Sequence, residues 1–278
     1  MSSSKFEESQ SGDQNQTKVL IDEDVPHGGK KIDKYVLSPN MECIATLNEE
    51  DKSIVVWTIT KTFTKDLIVK YDNSLNVNDL KDTLSDDVYK ISYLSLRGIS
   101  DCKHVIIKAS VDNYKNDTAI IDATTKLRQI LIAQGSEGFG NIGYPENIAF
   151  LENGDLVIVK GYPVYRAYIF SKSNYNGKYQ WTCKNSIELE KFTFPEECLT
   201  SKKGKLFMVY QVPYAITQWD LITRKFDMQY ILNWDSEVFF PFKIELNSDN
   251  TLLAVASYTR KKTRIYTYLT KSGTMIVD

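Results

Sequence analysis

The stretch from Gly204 to Leu221 reads GKLFMVYQVPYAITQWDL and holds the pattern that decides the fold. A polar turn leads into an apolar strand, a second turn follows, and the segment closes on Thr217-Gln218-Trp219-Asp220-Leu221. Short apolar runs without helical period, bounded by turn residues, are typical of buried β-strands. The stretch therefore predicts antiparallel strands joined by tight turns.

A closure of the same kind recurs along the whole chain. The residues aligned with the tryptophan of the first example are Trp57, Ile121, Phe170, Trp219 and Tyr266. Their separations are 64, 49, 49 and 47 residues. A repeat of this length indicates stacked supersecondary units.

Turns and apolar strands also recur within each unit. The predicted turns are Ser38-Pro39-Asn40, Glu152 to Asp155, Ser201 to Gly204 and Asn247 to Asn250, all rich in residues that reverse the backbone easily. The strands predicted in the same part of each unit are Cys43 to Leu47, Val105 to Ala109, Leu156 to Lys160, Leu206 to Tyr210 and Leu252 to Ser257. Asn176-Gly177 is a hairpin signal, expected to join the last two strands of the third unit. We therefore expect an all-β fold of about five four-stranded sheets.

One spacing is longer than the others by roughly 15 residues. The segment from Tyr71 to Asp87 is rich in Asp and Asn, and we place the extra residues there. Two interpretations stay open for this segment: a solvated loop or an acidic recognition loop.

Composition limits the function classes. The chain has 278 residues, a net charge of -2 and a pI near 5.9, so no global field attracts nucleic acid, and we expect no nucleic-acid partner. The one basic cluster, Arg260 to Arg264, is interpreted as a hairpin tip, with contact to an acidic partner or a lipid headgroup as the alternative.

The ends and the hydropathy predict a location. Residues 1–17 are polar and are expected to form a disordered tail, followed by one β-domain over residues 18–278. The N-terminus lacks the apolar region of a secretion signal, and no apolar run approaches the length of a membrane span. We expect a cytoplasmic protein.

The turn, strand, turn, Trp-Asp pattern resembles the blades of WD40-type β-propellers. Ser38 to Ile59 and Gly204 to Leu221 are the best instances, and the resemblance covers roughly residues 32–278. Only Trp219-Asp220 keeps the literal dipeptide, and the Gly-His pair of typical repeats is absent, since His27-Gly28 is reversed. That departure argues against the hydrogen-bonded tetrad of His, Ser, Asp and Trp that such blades carry.

A narrower resemblance concerns Tyr35 to Asn40. This opening and the long blades look like the N-terminal propeller regions of large fungal proteins that carry an ion-transport domain. The resemblance implies an association with a membrane protein.

The number of units raises the question of how the ends are finished. Five units form either a five-bladed ring or part of a larger ring that is truncated or split. The candidate strands for a seam are Lys18 to Asp22 and Gly273 to Val277. For a closed ring, Val19-Leu20-Ile21 would pair with the sheet of the last unit, since an unpaired edge exposes backbone donors and acceptors.

Motifs with chemical potential favour structural roles. Gly138-Phe139-Gly140-Asn141-Ile142-Gly143 is followed by another predicted strand instead of a helix, so it is expected to be a loop between units and no nucleotide site. His27 and His104 lack a nucleophile motif, and the four cysteines lack metal-ligand spacing. Asp122, Asp155 and Glu245 are the carboxylates available for a glycosidase. We assign no catalytic, cofactor-binding or metal residues.

These observations favour a non-catalytic scaffold or regulatory propeller module that binds another protein. The alternative is a cytosolic appendage of a membrane ion-channel-like protein. A five-bladed glycosidase-like enzyme is the third and weakest reading.

The fold prediction has a direct spectroscopic test. The far-UV circular dichroism spectrum should show a dominant β signal and little helix. A helical fraction above about a quarter would rule out an all-β domain.

Overall fold

The computed structural model describes residues 19–21, 26–61, 67–76, 81–82, 91–111, 115–135, 138–142, 145–161, 164–175, 178–189, 195–210, 215–232, 238–259 and 263–277. Within those ranges the only helix is a 3-10 turn, Pro26–Gly29, and strands account for most of the rest. The predicted tail at residues 1–17 lies outside the described residues.

The described strands form one two-stranded sheet and five larger sheets, which are here called blades 1 to 5 in chain order. Blade 1 contains β1 (Val19–Ile21), β2 (Lys34–Leu37), β3 (Cys43–Asn48), β4 (Ser53–Lys61) and β5 (Leu67–Asn76). Blade 2 contains β6 (Lys81–Asp82), β7 (Ile91–Ile99), β8 (His104–Val111), β9 (Lys115–Asp122) and β10 (Leu127–Ile130). A hairpin of β11 (Ile132–Gly135) and β12 (Gly138–Asn141) then leads to blade 3.

The last three blades have four strands each. Blade 3 contains β13 (Asn147–Phe150), β14 (Leu156–Lys160), β15 (Arg166–Tyr175) and β16 (Lys178–Glu188). Blade 4 contains β17 (Glu197–Thr200), β18 (Lys205–Tyr210), β19 (Ala215–Asp220) and β20 (Lys225–Ile231). Blade 5 contains β21 (Val238–Leu246), β22 (Leu252–Thr259), β23 (Thr263–Leu269) and β24 (Met275–Val277).

The repeat register predicted from the sequence is confirmed. The aligned residues all lie on the third antiparallel strand of their blade, and each is paired with an apolar residue of the second strand. The hairpin prediction also holds, because Tyr175 of β15 pairs with Lys178 of β16. The all-β architecture of about five four-stranded blades therefore follows the sequence pattern.

The turns between the first and second strands share one device. A residue with positive φ ends each turn: Met41, Lys103, Gly154, Gly204 and Asn250. In three blades a serine side chain accepts from the backbone N–H that starts the second strand, as Ser201 does from Lys205 at 2.9 Å. These bonds satisfy backbone donors where the chain reverses, which fixes the register of the hairpin.

The core lies between consecutive blades. Four hydrophobic clusters among the described residues join blades 1 and 2, 2 and 3, 3 and 4, and 4 and 5. Within this part of the chain, no cluster joins blade 5 to blade 1. Each inner blade is therefore sandwiched on both faces, which explains its nearly continuous apolar strands.

The predicted seam is wrong. Val19-Leu20-Ile21 forms β1, which pairs in parallel with Leu67-Ile68-Val69 of β5 in blade 1 and has no pairing with blade 5. β24 likewise pairs only with β23 of its own blade. A parallel strand at the outer edge covers the backbone groups of β5, so β1 extends one sheet and does not close a ring.

The long spacing between the first two units is filled partly by strand. β5 extends through Asn76, and β6 lies parallel to β10 at the outer edge of blade 2. The predicted loop from Tyr71 to Asp87 is thus strand at residues 71–76 and 81–82, and its remaining residues lie outside the described ranges.

Trp181 is a further tryptophan at the centre of the packing between blades. It lies on β16, outside the repeat register, yet it is buried and packs edge-on against Phe150 and His104 between blades 2 and 3. Its backbone N–H donates to the Gln129 side-chain oxygen at 2.9 Å, and its carbonyl accepts from the same amide at 2.7 Å. Trp181 thus joins two blades by packing and by hydrogen bonds.

We predict that Trp219→Ala and Trp181→Ala each lower the free energy of unfolding by about 3–5 kcal/mol, because each removes a large buried ring. Urea denaturation at neutral pH measures the change. Tyr179→Ala is the control, since the Tyr179 side chain is largely exposed. A Trp181 variant as stable as that control would contradict the packing described here.

Candidate partner interface

Each blade has two faces, defined here by chain order. The near face points to the preceding blade, and the far face points to the following one. The aligned third-strand residues lie on the near face: Ile121, Phe170, Trp219 and Tyr266 all belong to the cluster shared with the preceding blade. The residues just before them, such as Ile120, lie on the far face.

None of the described residues forms a following blade that covers the far face of blade 5. Ile265 occupies the place held in the other blades by Val56, Ile120, Ile169 and Gln218. Those four residues are 0% to 7% exposed, whereas Ile265 is 56% exposed. The same position is buried wherever a following blade exists, so the exposure of Ile265 marks a sheet face without its usual cover.

Other apolar side chains on β22, β23 and β24 are exposed as well. They are Tyr258, Leu269, Met275, Ile276 and Val277. Lys243 and Glu245 of β21 form an ion pair of 2.6 Å, so the charges of this face compensate each other. Ile265 and Leu269 lie on the same face of β23, because side chains alternate along a strand. Exposed apolar side chains that share a sheet face are typical of a protein interaction site.

The near face of blade 1 is the second open face. Leu37 is 44% exposed, while the residues in its place in blades 2 to 5, Ile99, Phe150, Thr200 and Ile244, are 1% to 7% exposed. Tyr35 on the same strand is also exposed. Blade 1 therefore lacks the preceding blade that covers every other near face.

Trp57 is buried without a preceding blade, because local groups cover it. Its Nε1–H donates to Thr46 Oγ1 at 3.2 Å, and Tyr71 packs edge-on against its ring. His27 of the 3-10 turn lies 3.0 Å from Thr46 Oγ1 through Nε2 and 2.5 Å from Ser53 Oγ through Nδ1. The Ser53 N–H donates to the Asp51 carboxylate at 2.9 Å, which completes the network.

This network corrects the sequence-based argument against a tetrad. Trp57, Thr46, His27 and Asp51 supply the residue types of the WD40 tetrad, with Ser53 as an added link. His27 reaches the site with a φ of 53°, a left-handed conformation that costs roughly 1 kcal/mol for a residue with a side chain. Burial lowers the pKa of His27 below its ordinary value, against the opposing effect of Asp51 and Asp33. A neutral imidazole suits this network because it can both accept and donate.

Blade 4 shows what the equivalent site lacks. Trp219 occupies the place of Trp57, but Met208 stands where blade 1 has Thr46. The Nε1–H of Trp219 has no hydrogen-bond partner among the described residues. The literal Trp219-Asp220 dipeptide therefore lies in blade 4, where the tryptophan has no such network. The reversed His27-Gly28 pair belongs to blade 1, where the network is formed.

A second polar cluster links blades 2 and 3. Lys172 Nζ donates to His104 Nε2 at 2.8 Å, and Asp122 Oδ2 lies 3.6 Å from both groups. Burial and, to a lesser extent, the Lys172 ammonium lower the pKa of His104 to about 4, against the opposing effect of Asp122. His104 is therefore neutral at physiological pH, and its Nδ1 lies 3.1 Å from Ser100 Oγ.

The corresponding position of blade 4 holds an ion-pair cluster. Lys205 Nζ donates to Asp220 at 2.9 Å and to Asp227 at 2.6 Å, and Gln218 donates to Asp227 at 3.0 Å. Asp220 also accepts from the backbone of its turn, which lowers its pKa together with Lys205. Both clusters are internally paired, which favours a structural role over catalysis.

The carboxylates considered for a glycosidase are separated and engaged. Asp122, Asp155 and Glu245 lie in blades 2, 3 and 5. Asp155 accepts from Ser171, and Glu245 pairs with Lys243. The structure thus brings together no pair of these three acids.

The glycine motif is also resolved by the fold. Gly138 to Asn141 form β12, which pairs with β11, so the expected loop is a strand and no helix begins there. Gly143 lies outside the described residues. The basic cluster also falls mostly outside them, with Arg264 on β23 as its described member. Tyr165 and Tyr210 are buried between blades 3 and 4.

Two further searches concern metals and membranes. In the described ranges, no group of three or more His, Cys, Asp and Glu side chains is placed to hold a metal ion. The same part of the chain has no helix of the length and apolarity that membrane crossing requires.

The stacked blades define a β-propeller fold with WD40-like blades. Among solved structures, hydrazine synthase from Kuenenia stuttgartiensis is similar with a TM-score of 0.51 and 11% identity over 87% of this chain and 65% of that one. Hsv2 from Kluyveromyces marxianus is similar with a TM-score of 0.50 and 12% identity over 88% and 64%. This chain therefore spans less than two-thirds of either relative.

The comparisons reach the fold and no further. No model of a protein family matches the chain, and no curated protein matches it in sequence. The expected link to fungal ion-transport proteins finds no support in the structures named above.

The blade 1 network gives a matched pair of substitutions. Thr46→Val should lower the free energy of unfolding by about 2 kcal/mol, because it leaves the buried N–H of Trp57 without its acceptor. Thr217→Val should be neutral or stabilising, since the Thr217 hydroxyl is buried without a partner among the described residues. Equal effects in urea denaturation would contradict the network.

The His104 cluster predicts a pH dependence. Its folded pKa of about 4 lies below the unfolded value, so the unfolded state binds the proton first as the pH falls. The free energy of unfolding should fall between about pH 6.5 and pH 4, by about 3 kcal/mol at most from this group. His104→Gln should flatten this part of the profile. Parallel profiles of the two proteins would contradict a buried neutral His104.

Proposed function

We propose that this chain is a non-catalytic protein-interaction module whose docking surface is the far face of blade 5. The observation that carries the proposal is Ile265, which is 56% exposed at a position buried in the four preceding blades. The free energy of the system falls when a partner removes this apolar sheet face from water. Exposure of these apolar side chains to water is unfavourable, so binding of a partner to this face is favoured.

The chemistry of the face supports a protein as that partner. The face is broad, carries aliphatic and aromatic side chains, and holds one compensated ion pair. Interface cores combine these features, with few uncompensated charges and enriched aromatic residues. A small polar ligand would leave most of such a surface in contact with water.

The contacts of the polar clusters weigh against an enzymatic function. The two polar clusters around His104 and Lys205 are neutralised by their own neighbours. A catalytic acid or base must be able to reach the substrate. The side chains of these two clusters are instead engaged in hydrogen bonds and ion pairs with one another. We propose a cytosolic site of action, and a fluorescent fusion would test the location.

The test is site-specific photo-crosslinking. A benzophenone amino acid replaces Ile265 in one sample and Tyr179 in the other, and both proteins are irradiated in a native extract. Tyr179 is the control because it is similarly exposed on blade 3. We expect a defined protein adduct from position 265 that Leu269→Glu abolishes. Adducts of equal yield from both positions, or none from position 265, would contradict the proposal.

A further inference from the structure

The two open faces of this molecule are complementary. The far face of blade 5 lacks a near face to pack against, and the near face of blade 1 lacks a far face. Resting on the proposed function, we propose that the far face of blade 5 binds the near face of blade 1 in a second copy of this chain. The contact is then a fifth junction of the type that the chain already forms four times.

The internal junctions show which residues would meet. Three of the four pair an apolar far-face residue with a near-face residue in one cluster: Val56 with Ile121, Ile120 with Phe170, and Ile169 with Trp219. By the same rule, Ile265 of one copy would face the side that carries Trp57 in the other. Leu37 and Tyr35 lie on β2, two strands from Trp57, and are exposed for the contact.

The charges of the two faces allow the contact. On blade 5, Lys243 is paired with Glu245 at 2.6 Å. Next to blade 1, Lys30 pairs with Asp51 at 3.4 Å, and Lys31 pairs with Asp33 at 3.5 Å. Because both faces are compensated internally, neither repels the other, and the apolar residues decide the association.

The polarity of the contact distinguishes this proposal from a symmetric dimer. A near face against a far face is a heterologous contact, in which the two copies use different surfaces. A contact of blade 5 with blade 5 would be isologous. A single chain could also bring its own two ends together. These alternatives predict different cross-links.

The test uses one introduced cysteine per variant in a background with Cys102, Cys183 and Cys198 replaced by alanine, since Cys102 is exposed, the other two are partly exposed, and Cys43 is buried. Leu37→Cys and Ile265→Cys are purified separately and mixed with a bismaleimide of about 10 Å span, the spacing of packed sheets. We expect a linked dimer in the mixture and little in either variant alone. A dimer from Ile265→Cys alone, or a link within one chain of the dilute double variant, would overturn the proposal.

Sedimentation velocity supplies the second measurement. Ile265→Glu and Leu37→Glu should each weaken the association of the wild-type chain at least tenfold. Leu127→Glu is the matched control, because Leu127 is similarly exposed on blade 2, away from both end faces, and should leave the association unchanged. Equal loss in all three variants would overturn the assignment of the contact.

The two proposals fail separately. A wild-type chain that stays monomeric at every concentration overturns the second-copy proposal. If the probe at Ile265 still cross-links a different protein in the extract, the proposed function stands and the partner is that protein. If the chain is monomeric and the probe finds no protein, both proposals fall.

Discussion

Burial of one large side chain on the third strand of each blade, against the blade before it, is the interaction on which this structure depends. Ile121, Phe170, Trp219 and Tyr266 all occupy that place and are almost completely buried. Because an apolar sheet must be covered on both faces, one blade alone is unstable and each needs its neighbours. A stack of five blades thus satisfies four junctions and leaves two faces at its ends.

The two ends are finished differently. At blade 1 the 3-10 turn brings His27 onto Thr46 and Ser53, and this network shields Trp57 while leaving Leu37 exposed. At blade 5 the described residues include no comparable cover, so Ile265 faces solvent. The protein therefore has one end that a costly local conformation partly covers, and one end where apolar side chains face solvent beside the Lys243–Glu245 ion pair. This asymmetry links the fold to the proposed binding function.

The sequence predicted the parts of this fold that depend on local pattern. The spacing of Trp57, Ile121, Phe170, Trp219 and Tyr266 gave the third strands, because alternation and turn residues act within one blade. The pairing of β1 could not be found this way, since three apolar residues fit the edge of either end blade. The His27 network was missed because a positive φ brings the imidazole to Thr46, and the reversed dipeptide gave no signal for it. The role of Trp181 could not be predicted from the sequence pattern, because it arises from contacts with Gln129 and His104 of blade 2. The exposure of Ile265 required comparison of equivalent positions in three dimensions.

Five equivalent far-face positions, one in each blade, differ in exposure because a following blade covers four of them and not the fifth. The most direct measurement is the rate of thiol labelling after cysteine is placed singly at Val56, Ile120, Ile169, Gln218 and Ile265, in dilute protein with Cys102, Cys183 and Cys198 replaced. We predict fast labelling at position 265. At the other four positions, we predict that the cysteine is protected until the protein unfolds. Protection at position 265 in the monomer, or fast labelling at any of the other four, would contradict this explanation.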